Sequence, residues 1–302
     1  MIKIFHNSKI NFVSKFKKAY FISLSIILIG FSFYLFKGAE FGIDFNGGTE
    51  LIIQFEESSL ESSSPKKQLT DLFKSNQISF SKIKTYGKNK IQILSEENLD
   101  KEFISNEISN LNFNIVSYNK IGSTISKELK NDAVKALLIA ILLIGLYIIV
   151  RFDWYSAVGS IAALVHDLMI VISILIVSSV QFDTNIIAAL LIIIGYSLND
   201  TIVIFDRIRE NIDEFSNIDL EQTINVSLNE TLGRTMITSL TTLFVVVSLF
   251  VFGGGSLSGL SFALIIGVLS GTYSSLFVAT PVMKFLRNKY YIDENEKEDQ
   301  WQ

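Results

Sequence analysis

The sequence predicts an α-helical polytopic membrane protein with six transmembrane helices, and a ferredoxin-like α+β domain outside the membrane between the first and second. Three observations predict it. Six runs of 18 residues or more are almost wholly apolar, which is about the length a helix needs to cross the hydrocarbon of a bilayer. One long polar tract, Lys37–Asp132, separates the first run from the other five. Within that tract the apolar pattern reads β-α-β-β-α-β. The composition agrees: 49% of the 302 residues are hydrophobic and the mean hydropathy is +0.41, while 19% are charged, so a polar domain must exist. A net charge of −4 gives no footing for a nucleic-acid partner. The absence of cysteine excludes disulfides, thiolate metal sites and thiol nucleophiles. With His6 and His166 as the only histidines, no histidine-rich metal site is available.

Residues 1–18 form a basic arm with Lys3, Lys9, Lys15, Lys17, Lys18 and no acid. Residues 19–36 carry no charge. The run is long for a signal-peptide core and no small-x-small cleavage site follows, so it reads as an uncleaved first spanning helix. The external domain (37–132) opens with Gly42-Ile43-Asp44-Phe45-Asn46-Gly47-Gly48-Thr49, in which Asn-Gly-Gly marks a turn because positive φ is cheap there. Thr49–Phe55 reads as a strand. Pro65–Asn76 reads as a helix, with Pro65 suited to its first turn. Ile78–Tyr86 and Lys90–Leu94 are strands joined through Gly87-Lys88-Asn89. Asn98–Leu111 has one apolar face, Phe103, Ile104, Ile108 and Leu111, and reads as a second helix. Phe113–Ile121 closes the set.

The five further spans cover residues 133–150, 156–180, 185–205, 235–252 and 259–283, and residues 284–302 form a tail ending in an acidic stretch. The segment Asp219–Leu228 places Leu220, Ile224 and Leu228 on one face and suits a helix lying along the membrane surface. Lysine and arginine in the short connections all fall on one side: the N-terminal arm, Arg151, Arg207 with Arg209, and Lys284, Arg287 and Lys289. The positive-inside rule therefore puts both termini in the cytoplasm and the polar domain outside.

The fourth span carries the chemistry. Asp200 lies about six residues, or ~9 Å at 1.5 Å per residue, inside the charged end of its helix. An acid at that depth costs several kcal/mol unless it faces a partner or water, and is a functional-site hypothesis by default. The fifth span runs antiparallel and begins with Arg234 at comparable depth, so the two charges can face each other. Thr231, Arg234 and Thr235, Thr238, and Thr241 and Thr242 recur at three-to-four spacing and form a polar stripe. A buried acid beside a guanidinium is balanced between opposing influences and can take and release a proton. His166 and Asp167, in mid-helix of the third span, read equally as a proton relay or as a hydrogen-bonded helix contact. In the sixth span Gly259, Ala263, Gly267, Gly271, Ser275 and Ala279 repeat at every fourth position, a stripe that lets another helix approach closely.

These motifs resemble the SecD/SecF family of protein-export membrane proteins, in its SecF branch, within the resistance–nodulation–division superfamily. The resemblance rests on the Gly42–Thr49 motif, on Arg151-Phe152 and His166-Asp167, and on Tyr196-Ser197-Leu198-Asn199-Asp200-Thr201 with Phe205-Asp206-Arg207-Ile208-Arg209-Glu210-Asn211. Thr231-Leu232, Arg234-Thr235, Thr238-Ser239 and Gly271-Thr272-Tyr273-Ser274-Ser275 complete it. Gly122-Ser123 stands where relatives often have Gly-Pro, and Gly233 where a serine is common. The resemblance implies a non-enzymatic accessory subunit of the Sec translocase in the bacterial inner membrane. It implies SecD as a separate partner, the SecYEG translocon and YajC as further partners, and translocating polypeptide and membrane lipid as contacts. It implies that Asp200, Arg234, Thr238 and Asn199 carry protons, with the proton gradient in place of a cofactor and no metal, and that Gly42, Asp44, Phe45, Asn46, Gly47 and Gly48 form the hinge motif. No phosphate-binding loop is present, which argues against ATP as the energy source. Two other readings are a proton-coupled half-transporter for lipids or small molecules, and a passive scaffold for the translocase.

Overall fold

A computed structural model of the chain describes residues 9–55, 65–76, 80, 82–85, 89–96, 99, 101–102, 104–105, 113–214 and 219–299. Among them, six helices are long and apolar enough to cross a membrane. The helices are α1 (Phe16–Lys37), the single turn α2 (Ile43–Asn46), α3 (Pro65–Ser75), α4 (Ser123–Arg151), α5 (Trp154–Val177), α6 (Thr184–Glu214), α7 (Leu220–Phe252), α8 (Gly255–Ser274) and α9 (Thr280–Asp299). A π turn at Ser275–Ala279 joins α8 to α9, so the two form one span.

The helices overshoot the apolar runs because hydropathy marks the membrane and not the helix. α4 already starts at Ser123, with Gly122 as an extended cap. α7 starts at Leu220, where the Asp219 carboxylate caps Glu221 N–H. The expected surface helix over Asp219–Leu228 is therefore the first turns of the fifth span. Its apolar face is buried by protein: Ile224 and Leu228 pack with Ile204 and Ile208 of α6, which removes any need for a lipid surface. At the opposite end Gly254, at φ +74°, turns the chain into α8.

α5, α6 and α8 occupy the middle of the bundle, while α1, α4 and α7 turn most of their apolar surface outward. The small-residue stripe sets the closest approach. A Cβ on Gly267 would lie 2.2 Å from Ile193 Cγ1, and one on Gly271 would lie 3.0 Å from Ser197 Cβ. Ala263 and Ser275 are fully buried, and Gly259 meets Ile186 and Val180 at ordinary contact distance. α8 thus lies against α6 along the face predicted from spacing. Farther along, a Cβ on Gly159 of α5 would lie 2.7 Å from the Ala279 carbonyl oxygen.

The external domain holds a four-stranded antiparallel sheet in the order β2-β3-β1-β4, with β1 Gly48–Phe55, β2 Lys82–Thr85, β3 Lys90–Ser95 and β4 Phe113–Ile121. Alternate residues Leu51, Ile53, Ile91 and Ile93 face a core closed by Leu69 and Phe73 of α3. The turn at Gly87-Lys88 and most of the second helix expected over Asn98–Leu111 lie outside the described residues. Gly47 (φ +76°) and Gly48 (φ +113°) lead into β1, and a Cβ on Gly48 would sit 2.1 Å from Ser95 O. The domain is fastened to the outer end of α1 by Glu40, whose carboxylate meets Lys82 and Lys84 at 2.5 Å each. Burial pushes that carboxyl upward, but the two ammonium groups outweigh it and hold it at about 2. On the other side the sheet stands clear, leaving a cleft of about 940 Å³ between Glu50, Gln92 and Val116 and the loop Gly253–Ser258.

Candidate functional site

Asp200 is buried, 4% exposed, on the face of α6 that meets α7 and α8. Its carboxylate accepts two long hydrogen bonds, from Thr238 Oγ1 at 3.3 Å and Ser239 Oγ at 3.4 Å. Ser239 is in turn 2.6 Å from Thr272 Oγ1 of α8. α6 can bring Asp200 here because its continuous apolar face packs both neighbours while one turn carries Ser197, Asp200 and Thr201 inward. Asn199, one residue away, points about 100° around the helix and is exposed. It does not join the site.

Among the described residues Arg234 forms no hydrogen bond or salt bridge with Asp200, but its charge acts on that carboxylate. Arg234 lies on the exposed side of α7, and among the described residues no salt bridge includes it. Antiparallel packing matched the two residues in depth but not in azimuth. The polar stripe divides accordingly. Thr231, Thr235 and Ser239 are buried inward, whereas Arg234 and Thr241 face outward. Arg207, seven residues beyond Asp200, pairs instead with Glu230 at 2.7 Å and Glu210 at 2.8 Å. With Arg151–Asp206 at 2.9 Å, these pairs form a charged collar that ties the end of α4 to α6, and α6 to α7. Asp200 is left with hydroxyls as its hydrogen-bond donors and with the Arg234 charge nearby.

Asp167 has opposite surroundings. It is 1% exposed and accepts short hydrogen bonds from Ser270 (2.5 Å), Ser197 (2.6 Å) and Ser274 (2.7 Å), with His166 Nδ1 at 3.2 Å. His166 Nε2 lies 2.8 Å from Ser23 Oγ of α1, and Ser23 donates to Tyr273 Oη at 3.1 Å. One carboxylate thereby joins α5, α6 and α8, and the adjacent ring adds α1. His166 and Asp167 act in one network, through different sides of their helix. The serines at 270 and 274 were readable as an i, i+4 pair, but nothing in the sequence named Asp167 as their acceptor.

The Gly42–Gly48 motif reaches the same helix from outside. Asp44 Oδ2 accepts both the backbone N–H (2.8 Å) and the hydroxyl (2.7 Å) of Thr184, the first residue of α6. Gly42 N–H donates to Phe182 O at 2.8 Å, and a side chain on Gly42 would crowd Gln181. Phe45 is buried with Phe182 and Ile186, whereas Asn46 is exposed. Beside them Asp183 caps Ile186 N–H; burial, with the Asp44 and Glu50 charges, pushes its carboxyl above the usual range.

The model of the SecD/SecF C-terminal region of protein-export membrane proteins matches residues 101–289. A protein translocase subunit SecF from Rhodothermus marinus is 40% identical over 95% of this chain and 96% of its own length. The chain belongs to the SecF family. A second SecF, from Calditerrivibrio nitroreducens, is 36% identical over 94% of this chain and 96% of its own. The crystal structure of SecDF from Thermus thermophilus, a translocon-associated membrane protein, superposes with a TM-score of 0.84 at 30% identity. It covers 93% of this SecF-family chain, which spans 39% of the length of that SecDF. A SecDF in its super-membrane-facing form superposes with a TM-score of 0.72 at 29% identity.

Proposed function

We propose that this SecF-family subunit works with a separate SecD protein to couple proton entry to polypeptide movement on the outer side of the bacterial inner membrane, with both termini in the cytoplasm. The observation that carries the reading is the contrast between two buried acids. Asp167 is saturated by short hydrogen bonds from fixed hydroxyls and suits a permanent structural role. Asp200 accepts only two long hydrogen bonds, from Thr238 and Ser239, with the Arg234 charge nearby, so gaining a proton breaks little around it. An intramembrane acid so loosely held suits exchange with a pathway. Arg234 supports the partnership: a guanidinium on the lipid-exposed face of a span requires protein or water opposite it, and SecD supplies that surface. The link from Asp44 to Thr184 carries movement of α6 to the external domain, whose strand order and directions support the ferredoxin-like reading. SecYEG and YajC complete the assembly, without a cofactor, metal or catalytic residue in this chain.

One charge crossing the potential yields ~2.3 kcal/mol per 100 mV. Since 1.4 kcal/mol is tenfold, that is enough to shift a two-position domain more than tenfold. An Asp200→Asn variant removes the exchangeable proton and keeps the shape. It is expected to accumulate and pair with SecD normally while losing the stimulation of export by the proton gradient. Full stimulation in that variant would refute the proposal.

A further inference from the structure

We propose that the groove between α1, α5 and α9, at the end of the bundle that carries both termini, is a binding site for one anionic phospholipid. Lys17 and Lys289 receive its phosphate, and Val158, Val282 and Phe285 receive the start of its acyl chains. The inference rests on the proposed orientation for the choice of leaflet only.

The groove has a volume of about 670 Å³. It exists because the face of α5 that carries Gly159 packs on the sixth span, at Ala279 and Met283, while the adjacent face turns away from it. Gly159 abuts Ala279, whereas Val158, one residue earlier, already borders open space beside Val282. The π turn at Ser275–Ala279 and Pro281 reset the direction of the span here. The floor is apolar. Every ionisable group on the rim other than Tyr20 is a lysine: Lys17, Lys284 and Lys289. Lys284 is bonded to Glu221. Among the described residues Lys17 and Lys289 form no ion pair, and Lys289 lies 5.7 Å from the Tyr290 ring centre. With Lys284 taken by Glu221, Lys17 and Lys289 are the cations this rim offers to an anion.

Aromatic side chains fix the depth. Tyr20 lines the groove, and Trp154 stacks edge-on with Tyr290 at 4.9 Å beside it, all three partly exposed. Tyrosine and tryptophan in such positions mark the headgroup level of a bilayer. The two unpaired ammonium groups therefore stand at the height of a lipid phosphate, above an apolar cradle at the height of acyl chains. Basic pockets between spanning helices bind anionic headgroups in this way, at about 1 kcal/mol per lysine.

The test is native mass spectrometry of the purified full chain in mild detergent, titrated with phosphatidylglycerol or phosphatidylcholine. The wild type is expected to retain one phosphatidylglycerol in preference to phosphatidylcholine. Lys17→Gln with Lys289→Gln is expected to weaken that preference roughly thirtyfold, about 2 kcal/mol at 1.4 kcal/mol per decade. Val282→Trp, which fills the cradle, is expected to reduce retention of both lipids. Equal retention of the two lipids by the wild type, or an unchanged preference in the double lysine variant, would overturn the assignment. Displacement of the lipid by glycerol 3-phosphate alone would overturn it in favour of a free phosphate ligand. Loss of co-purifying SecD in Val282→Trp, with lipid retention intact, would overturn it in favour of a partner helix. Asp200→Asn is expected to keep the lipid preference, so failure of the proton reading and failure of this one are separable.

Discussion

Replacing Asp44 with alanine unfastens the entry motif of the external domain from the helix that carries Asp200. In the wild type one carboxylate oxygen accepts two hydrogen bonds from Thr184, at 2.8 Å and 2.7 Å. Deleting a side chain that satisfies a helix N-terminus costs about 0.5–2 kcal/mol. The contact is solvent-exposed, so a value near 1 kcal/mol is appropriate, which is roughly a fivefold shift in population. Amide hydrogen exchange of the purified protein reads this directly. Exchange is expected to rise about fivefold both at Thr184–Ile187 and at Gly42–Gly47, and to stay unchanged at Ile193–Leu198 in the bundle interior. Asp44→Asn retains an acceptor oxygen and is expected to recover part of the protection. Export driven by the proton gradient is expected to fall in parallel with the loss at Gly42–Gly47. If only Thr184 loses protection while Gly42–Gly47 and export are unaffected, Asp44 merely caps a helix and the coupling argument fails.

Three further outcomes follow from the packing and the charges. Gly267→Leu forces a side chain into Ile193, where even a Cβ would stand 2.2 Å away; overpacking of that kind costs about 1–3 kcal/mol and is expected to lower thermal stability and yield together. Asp167→Asn disturbs an acceptor of three short hydroxyl hydrogen bonds and is expected to cost about 1–3 kcal/mol of folding stability, whereas Asp200→Asn is expected to melt within about 0.5 kcal/mol of the wild type; similar melting of the two variants would remove the distinction drawn between the acids. For Glu40 the folded carboxyl stands at about 2 against an ordinary 4.5, because Lys82 and Lys84 outweigh its burial. Its contribution is therefore full above pH 4.5 and disappears as the pH falls toward 2; Glu40→Gln is expected to be less stable at neutral pH and to lack that acid-dependent loss in a melting series.

The six spans were legible because each apolar run is long and nearly uncharged, and Asp200 stood out because a single acid interrupts such a run. Helix ends were not legible in the same way. Residues 123–132 and 220–234 are polar but helical, carried past the membrane by packing on their neighbours. Asp200 and Arg234 interact through charge without a salt bridge: two antiparallel helices fix the height of a residue from sequence, while its direction depends on how each helix is rotated about its axis. The clasp of Asp44 on Thr184 joins residues 140 positions apart, and neither local pattern nor spacing reports such a contact. Asp167 was visible as half of a His-Asp pair, but its hydroxyl donors come from two other helices, so its saturation emerged only in three dimensions. The four strands were legible from alternation and turns, whereas their order in the sheet, β2-β3-β1-β4, emerged only in three dimensions.

Residues 10–13 bear on how movement leaves the bundle. Their backbone is hydrogen-bonded by Asn225 and Asn229 of α7, at 2.8–3.2 Å, and the other end of α1 is anchored at Glu40. α1 is therefore fixed at both tips, with its inner end on the helix that bears Arg234. Its 22 residues make a rod of ~33 Å at 1.5 Å per residue. Over that length the rod cannot pivot alone: Ser23 lies 2.8 Å from His166 and Gly30 packs on Ser173, so a displacement of α7 at Asn225 or Asn229 reaches Glu40 only by moving α1 together with α5.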